Sequence, residues 1–84
     1  MAGLKNTVAI VTGGASGIGL ALARAYGKRG THVLIADIDA NALQNACRQL
    51  ASENIAATSV IVDLRRPEMI DEMLGKAKEL GLIT

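Results

Sequence analysis

Thr12-Gly13-Gly14-Ala15-Ser16-Gly17-Ile18-Gly19 follows directly on the apolar run Val8-Ala9-Ile10-Val11. The reading of that junction decides the fold. An apolar, partly β-branched run ended by glycines reads as a buried strand, here residues 7–12. After Gly19 come Leu20-Ala21-Leu22-Ala23-Arg24-Ala25-Tyr26, rich in helix formers and free of breakers. The unit is strand, glycine-rich turn, helix. The first N–H groups of such a helix have no internal partner and carry the positive end of its dipole, so an anion can sit there if no side chain screens the backbone. Glycine leaves the backbone bare and permits positive φ in the turn. A plain glycine-rich turn is the competing reading, and the flanking strand and helix weigh against it.

Outward from this junction, Lys28 and Arg29 suit a helix C-terminus and Gly30 suits the position just past it. Both faces of the helix are fairly apolar, with Ala21 and Ala25 expected to form a thin stripe against a sheet. Residues 31–37 form a second apolar run that ends on Asp37. Asp39 is placed to cap a helix over residues 40 to about 53, with Leu43, Cys47 and Leu50 at helical spacing. Residues 56–62 read as a third strand ending on Asp63. Pro67 suits the first turn of a last helix, with Ile70, Met73, Leu74, Ala77 and Leu80 as its apolar stripe. The order β-α-β-α-β-α implies parallel pairing through right-handed crossovers. The expected fold is α/β, the first mononucleotide half of a doubly wound sheet, with strands in the order 3-2-1.

The totals narrow the function classes. At 84 residues the chain is at most one small domain. It has no Trp or Phe and one Tyr, so its core is aliphatic and alanine-rich. A net charge of +1 gives no electrostatic case for nucleic acid or an anionic membrane. No segment approaches the roughly 20 apolar residues of a membrane span. Residues 1–6 are a polar lead-in without signal-peptide architecture. A single cysteine excludes an internal disulfide, and the expected location is cytoplasmic.

The glycine spacing is not the common G-x-G-x-x-G. It is T-G-x-x-x-G-x-G, from Thr12 through Gly13 and Gly17 to Gly19, and in this it resembles the short-chain dehydrogenase/reductase family, whose cofactor domain is a Rossmann-like three-layer sandwich. The resemblance implies that Gly13 serves the tight exit from the strand, Gly17 close approach of a pyrophosphate and Gly19 close helix–sheet packing. Ser16 and Ile18 belong to the same cofactor loop. Asp37, 18 positions after Gly19, suits the ribose hydroxyls of an adenosine and would repel a 2′-phosphate. Relatives that prefer NADP usually carry a basic residue where this chain has Ser16 or Ile38, so NAD is expected over NADP. Asp63-Leu64 resembles the family's adenine-binding pair, and Ile38 could cover one face of the base. Taken alone, Asp37 and Asp63 are also ordinary strand-end acids.

Other polar residues carry less. Arg65-Arg66 departs from the family's usual helix cap and reads as a solvated pair, with an acidic partner as the lesser alternative. His32 has no second ligand at metal spacing. Cys47, Met69 and Met73 read as core.

The family's reaction uses a tyrosine, a lysine four residues later and a serine. The single tyrosine is Tyr26, with Gly30 four residues on, and it is expected to pack in the first helix. The family's Asn-Asn-Ala-Gly segment is absent as well. Residues 81–84 look like the opening of a fourth strand. The resemblance thus covers the N-terminal half of an NAD(P)-binding domain, cut before that strand, with no catalytic residue of its own. On this reading the apolar Val8–Val11 edge is left unpaired and invites self-association or a missing C-terminal half. A non-catalytic nucleotide-binding or self-assembling half-Rossmann module is the alternative, and a structural protein without ligand is a third. Coding sequence beyond Thr84 separates the first two, and nucleotide titration tests the third.

Overall fold

The computed structural model describes residues 7–83. The chain runs β1 (Thr7–Thr12), α1 (Gly17–Lys28), β2 (His32–Asp37), α2 (Ala40–Ser52), β3 (Ala57–Ile61), α3 (Pro67–Leu80) and β4 (Leu82–Ile83). All pairings are parallel and the sheet order is β3-β2-β1-β4. The expected order 3-2-1 is present, extended on the β1 side by a two-residue strand. That strand covers only the start of the expected unpaired Val8–Val11 edge, because Thr7 registers with Leu82 and Val8 with Ile83. Among the described residues the pairing reaches no further along β1 than Val8. The polar lead-in of residues 1–6 and Thr84 lie outside the described residues.

Strand alternation divides the core in two. Ala9, Val11, Val33 and Ile35 pack with Ala23 of α1 and with Leu43, Ala46 and Leu50 of α2. Val8, Leu34 and Ala36 pack on the opposite face with Met73 and Ala77 of α3. Successive side chains of a strand point to opposite faces, so one apolar run supplies both layers. The sides taken by the helices follow from topology. The chain steps β1-β2-β3 in one direction and then returns past β1 to β4. Right-handed crossovers therefore put α1 and α2 on one face and α3 on the other.

Local chemistry sets the ends of the helices. Asp39 caps α2, its carboxylate accepting from the Ala42 N–H at 3.1 Å. Both α1 and α2 stop in Schellman geometry. Past α1, Gly30 lies at φ +92°, and the N–H groups of Gly30 and Thr31 donate to Gly27 and Tyr26. Past α2, Asn54 takes the same left-handed position at φ 62°, and Ile55 donates back to Leu50. Arg24 Nε donates to both carboxylate oxygens of Glu53, at 2.8 and 3.0 Å, tying the two helices together.

The stripe that brings α1 onto the sheet differs from the expected one. Ala21 and Ala25 are exposed, whereas Gly19, Ala23 and Gly27, spaced by four, line the inner side. A Cβ on Gly27 would overlap Ile55 Cγ2. Tyr26 is partly packed but 41% exposed, and Leu22 and Ile18 are more exposed still. In α3, Met73 and Ala77 are buried as expected, while Leu74 faces out. Cys47 and Met69 pack partly buried against the two core clusters.

Candidate functional site

The C-terminal ends of β1, β2 and β3 open into a single cleft of about 280 Å³, lined by Thr12, Gly13, Ala36, Asp37, Ile38, Val62, Asp63 and Leu64. Parallel strands place their last residues at one edge. A doubly wound sheet offers a ligand crevice there, where the strand order reverses between β1 and β4. The walls are apolar: Ile38 is 60% exposed and Leu64 58% exposed, each lying one residue past an acid. Five of the residues expected at a cofactor site (Gly13, Asp37, Ile38, Asp63 and Leu64) thus line one space although they come from three separate turns.

Ser16, Gly17, Ile18 and Gly19 are outside that lining and form the start of α1. Ser16 is the N-cap residue, but its side chain makes no capping bond, and the first turn holds no acid. The opening N–H groups of the helix therefore have neither a capping hydroxyl nor a carboxylate against them. Gly13 and Gly17 lie at φ +67° and +59°, and a Cβ on either would meet nothing within 4 Å. Backbone at both positions is bare toward solvent, as an anion cradle requires. Ile18, 82% exposed, stands at the same helix start.

Gly19 and Gly14 hold the turn together. A Cβ on Gly19 would overlap the carbonyl oxygen of Gly13, so this glycine lets α1 pack closely on the loop that leaves β1. Gly14 comes so close to Ile35 that a Cβ would stand 2.9 Å from its side chain. The N–H groups of Gly13 and Gly14 both donate to the Ala36 carbonyl, at 2.7 and 3.3 Å. The glycine loop is thereby fixed to the end of β2, the strand that carries Asp37.

The two acids differ in setting. Asp37 Oδ1 accepts from its own turn, from the Ile38 N–H at 2.8 Å and the Asp39 N–H at 3.3 Å. Neither bond uses Oδ2. Asp63 instead receives Arg65: Oδ1 accepts from the Arg65 backbone N–H at 3.0 Å and Nε at 2.9 Å, and Oδ2 accepts from Nη2 at 2.9 Å. The hydrogen-bonded Arg65 guanidinium, aided by the Arg65 N–H, pulls the Asp63 carboxyl down to about 2, and the carboxylate in turn raises Arg65. This corrects the reading of Arg65 as merely solvated. Arg66 fits that reading better, reaching only Glu68 at 3.9 Å between two exposed side chains.

Thr12, Ala36, Val62, Gly14 and Arg65 join the site without having been marked as site residues by the sequence. Ala36 and Val62 each precede a marked acid, a position that could have suggested them. Gly14 lies in the glycine stretch without being assigned a role, and Arg65 stands two residues past Asp63, a spacing that could have suggested their pairing. His32 Nε2 shares a 2.8 Å hydrogen bond with Thr58 Oγ1. Among the described residues no group of His, Cys, Asp and Glu could hold a metal ion, and no helix is long and apolar enough to cross a membrane.

A family model described as short chain dehydrogenase matches residues 7–83. The 1-deoxy-11-beta-hydroxypentalenate dehydrogenase of Streptomyces exfoliatus is 38% identical over 74 residues, which cover 88% of this chain and 27% of that protein. The crystal structure of an actinorhodin polyketide ketoreductase variant with NADPH superposes with a TM-score of 0.89 at 30% identity, over 99% of this chain and 32% of that one. L-sorbose reductase from Gluconobacter frateurii, complexed with NADPH and L-sorbose, superposes with a TM-score of 0.82 at 31% identity, over 90% of this chain and 29% of that one. The chain thus spans less than a third of the length of each of these relatives.

Proposed function

The chain belongs to the short-chain dehydrogenase family, and from that premise we propose that it is the dinucleotide-binding portion of an oxidoreductase acting on a carbonyl or alcohol substrate. One observation carries the reading. Three successive βα turns bring a bare glycine loop at a helix start, a carboxylate with an unengaged oxygen and a second carboxylate between apolar walls to one sheet edge.

The residues fit a nicotinamide dinucleotide. Gly13 and Gly17 offer open backbone, and the start of α1 offers N–H donors and a dipole to the pyrophosphate. Asp37 has Oδ2 for the ribose hydroxyls of the adenosine. Ile38 and Leu64 supply apolar cover for the base, with Asp63 as an acceptor at its rim. The cofactor, when bound, would carry the hydride, accepting it from an alcohol in its oxidised form or giving it to a carbonyl in its reduced form. This chain contributes binding and orientation, and it contains no Tyr-x-x-x-Lys. On this reading the groups that transfer the proton come from residues outside these 84.

NAD is the cofactor we assign, on the strength of Asp37. A carboxylate at the end of the second strand, as at Asp37, suits the hydroxyls of an adenosine ribose and would disfavour a 2′-phosphate. The two superposed reductases hold NADPH, so the assignment rests on this chain's own residue.

Titration of the protein with NAD and NADP, with and without Asp37→Ala, tests the reading. NAD should bind saturably and more tightly than NADP, and the substitution should weaken NAD and narrow its margin. A folded protein that binds neither nucleotide rejects the proposed function. An unchanged NAD/NADP ratio in Asp37→Ala rejects the role of Asp37.

A further inference from the structure

Arg65 makes more of Asp63 than a strand-end acid. A carboxylate has about four acceptor positions, two on each oxygen. At Asp63 three of them are taken by one residue: the Arg65 N–H and Nε fill Oδ1, and Nη2 takes one position on Oδ2. The two partners sit differently in space. The Asp63 side chain is 18% exposed and lines the cleft, whereas that of Arg65 is 84% exposed. The fork closes on the carboxylate from the solvent side. Two parallel N–H···O bonds together with a backbone N–H fix both the position and the plane of the carboxylate, which a single point contact would not do.

We propose that Arg65 is a positioning residue for base selection: by engaging three acceptor positions of Asp63 it leaves one, on Oδ2, for a single N–H donor of the nucleotide base. The inference rests on the proposed dinucleotide function. A purine with an exocyclic amine, such as adenine, presents a donor to that position. A purine with an oxo group there, such as hypoxanthine, presents an acceptor against an ionised carboxylate. Arg65 supports the selection by holding the carboxylate in place. Without it, the Asp63 side chain can turn to water, and both acceptor geometry and selectivity decline. The nearby Arg66 donates its backbone N–H to the Asp63 carbonyl at 2.9 Å, but among the described residues its side chain makes no hydrogen bond or ion pair with the Asp63 carboxylate, so its truncation serves as an internal control.

The test measures dissociation constants of the protein for NAD and for nicotinamide hypoxanthine dinucleotide, which differ only in the base. Arg65→Ala should weaken NAD by about five- to tenfold, the scale of one ordinary net hydrogen bond, while changing the hypoxanthine analogue little. The NAD-to-analogue preference should fall by the same factor. Arg66→Ala should leave the preference as it is. Arg65→Lys retains the charge without the fork and should behave like Arg65→Ala. If Arg65→Lys restores full preference, charge and not positioning is responsible, and the proposal fails. It also fails if Arg65→Ala keeps the preference, or if Arg65→Ala tightens NAD, which would show Arg65 competing with the base. If the unsubstituted protein binds no NAD, this inference falls together with the proposed function. If it binds NAD and only the preference fails to move, this inference falls alone.

Discussion

Gly19 stands against Gly13 so closely that a Cβ on Gly19 would overlap the Gly13 carbonyl oxygen. Six positions apart in sequence, Gly13 opens the turn after β1 and Gly19 lies in the first turn of α1. Their contact sets how tightly the helix start is drawn onto the strand end. The backbone around Gly13 is in turn held by the Ala36 carbonyl of β2, so displacement of Gly19 is transmitted to the wall that carries Asp37.

Gly19→Ala should therefore destabilise the fold by about 1–3 kcal/mol, as overpacking against backbone does. The new methyl meets a carbonyl oxygen and the Gly14 Cα, neither of which can rotate away. Urea unfolding should show the loss, and NAD titration should show weaker binding at denaturant concentrations where the variant is still folded. A variant of unaltered midpoint would mean that the turn relaxes freely.

Gly75→Ala should act in the opposite direction. Gly75 lies inside α3 facing open space, with nothing within 4 Å of where an alanine methyl would stand and no positive φ. Alanine should stabilise the helix by up to about 1 kcal/mol through its better propensity and the reduced freedom of the unfolded chain. Thermal melting of the two glycine variants side by side would separate a glycine required by contact from one that is merely tolerated.

The Asp63–Arg65 pair gives a pH dependence of definite sign. The folded carboxyl lies at about 2, below its ordinary 3.8. A depressed acid contributes stability that is present above about 3.8 and is lost as pH falls toward 2. Arg65→Ala should return the Asp63 carboxyl toward 3.8, visible in a side-chain carboxyl titration by NMR. Any stability difference between variant and parent should appear above that range and vanish below it. Exposure of Arg65 to solvent keeps the difference small.

Much of this was legible in the sequence because its causes are local. Asp39 as a cap, Pro67 in the first turn of α3 and Gly30 past α1 are fixed by the few residues around them. The strand-turn-helix at residues 7–19 is legible for the same reason, as are the acids that end β2 and just follow β3. The inner stripe of α1 was less accessible. Alanines at 21 and 25 and small residues at 19, 23 and 27 are equally thin in sequence. Only the direction in which the helix leaves the turn selects Gly19, Ala23 and Gly27 for the sheet side.

By itself, then, the sequence determined the order of elements, their parallel pairing and which turns carry glycines and acids, since periodicity, caps and turn residues act over a handful of positions. The tertiary structure decided how those turns meet. It closed Gly13, Asp37, Ile38, Asp63 and Leu64 around one cleft and seated Gly14 on Ile35. It also placed β4 on the first residues of β1. These depend on where separate segments come to rest, and parallel crossovers bring strand ends together from positions some 25 residues apart. Spacing along the chain does not encode those contacts; packing does.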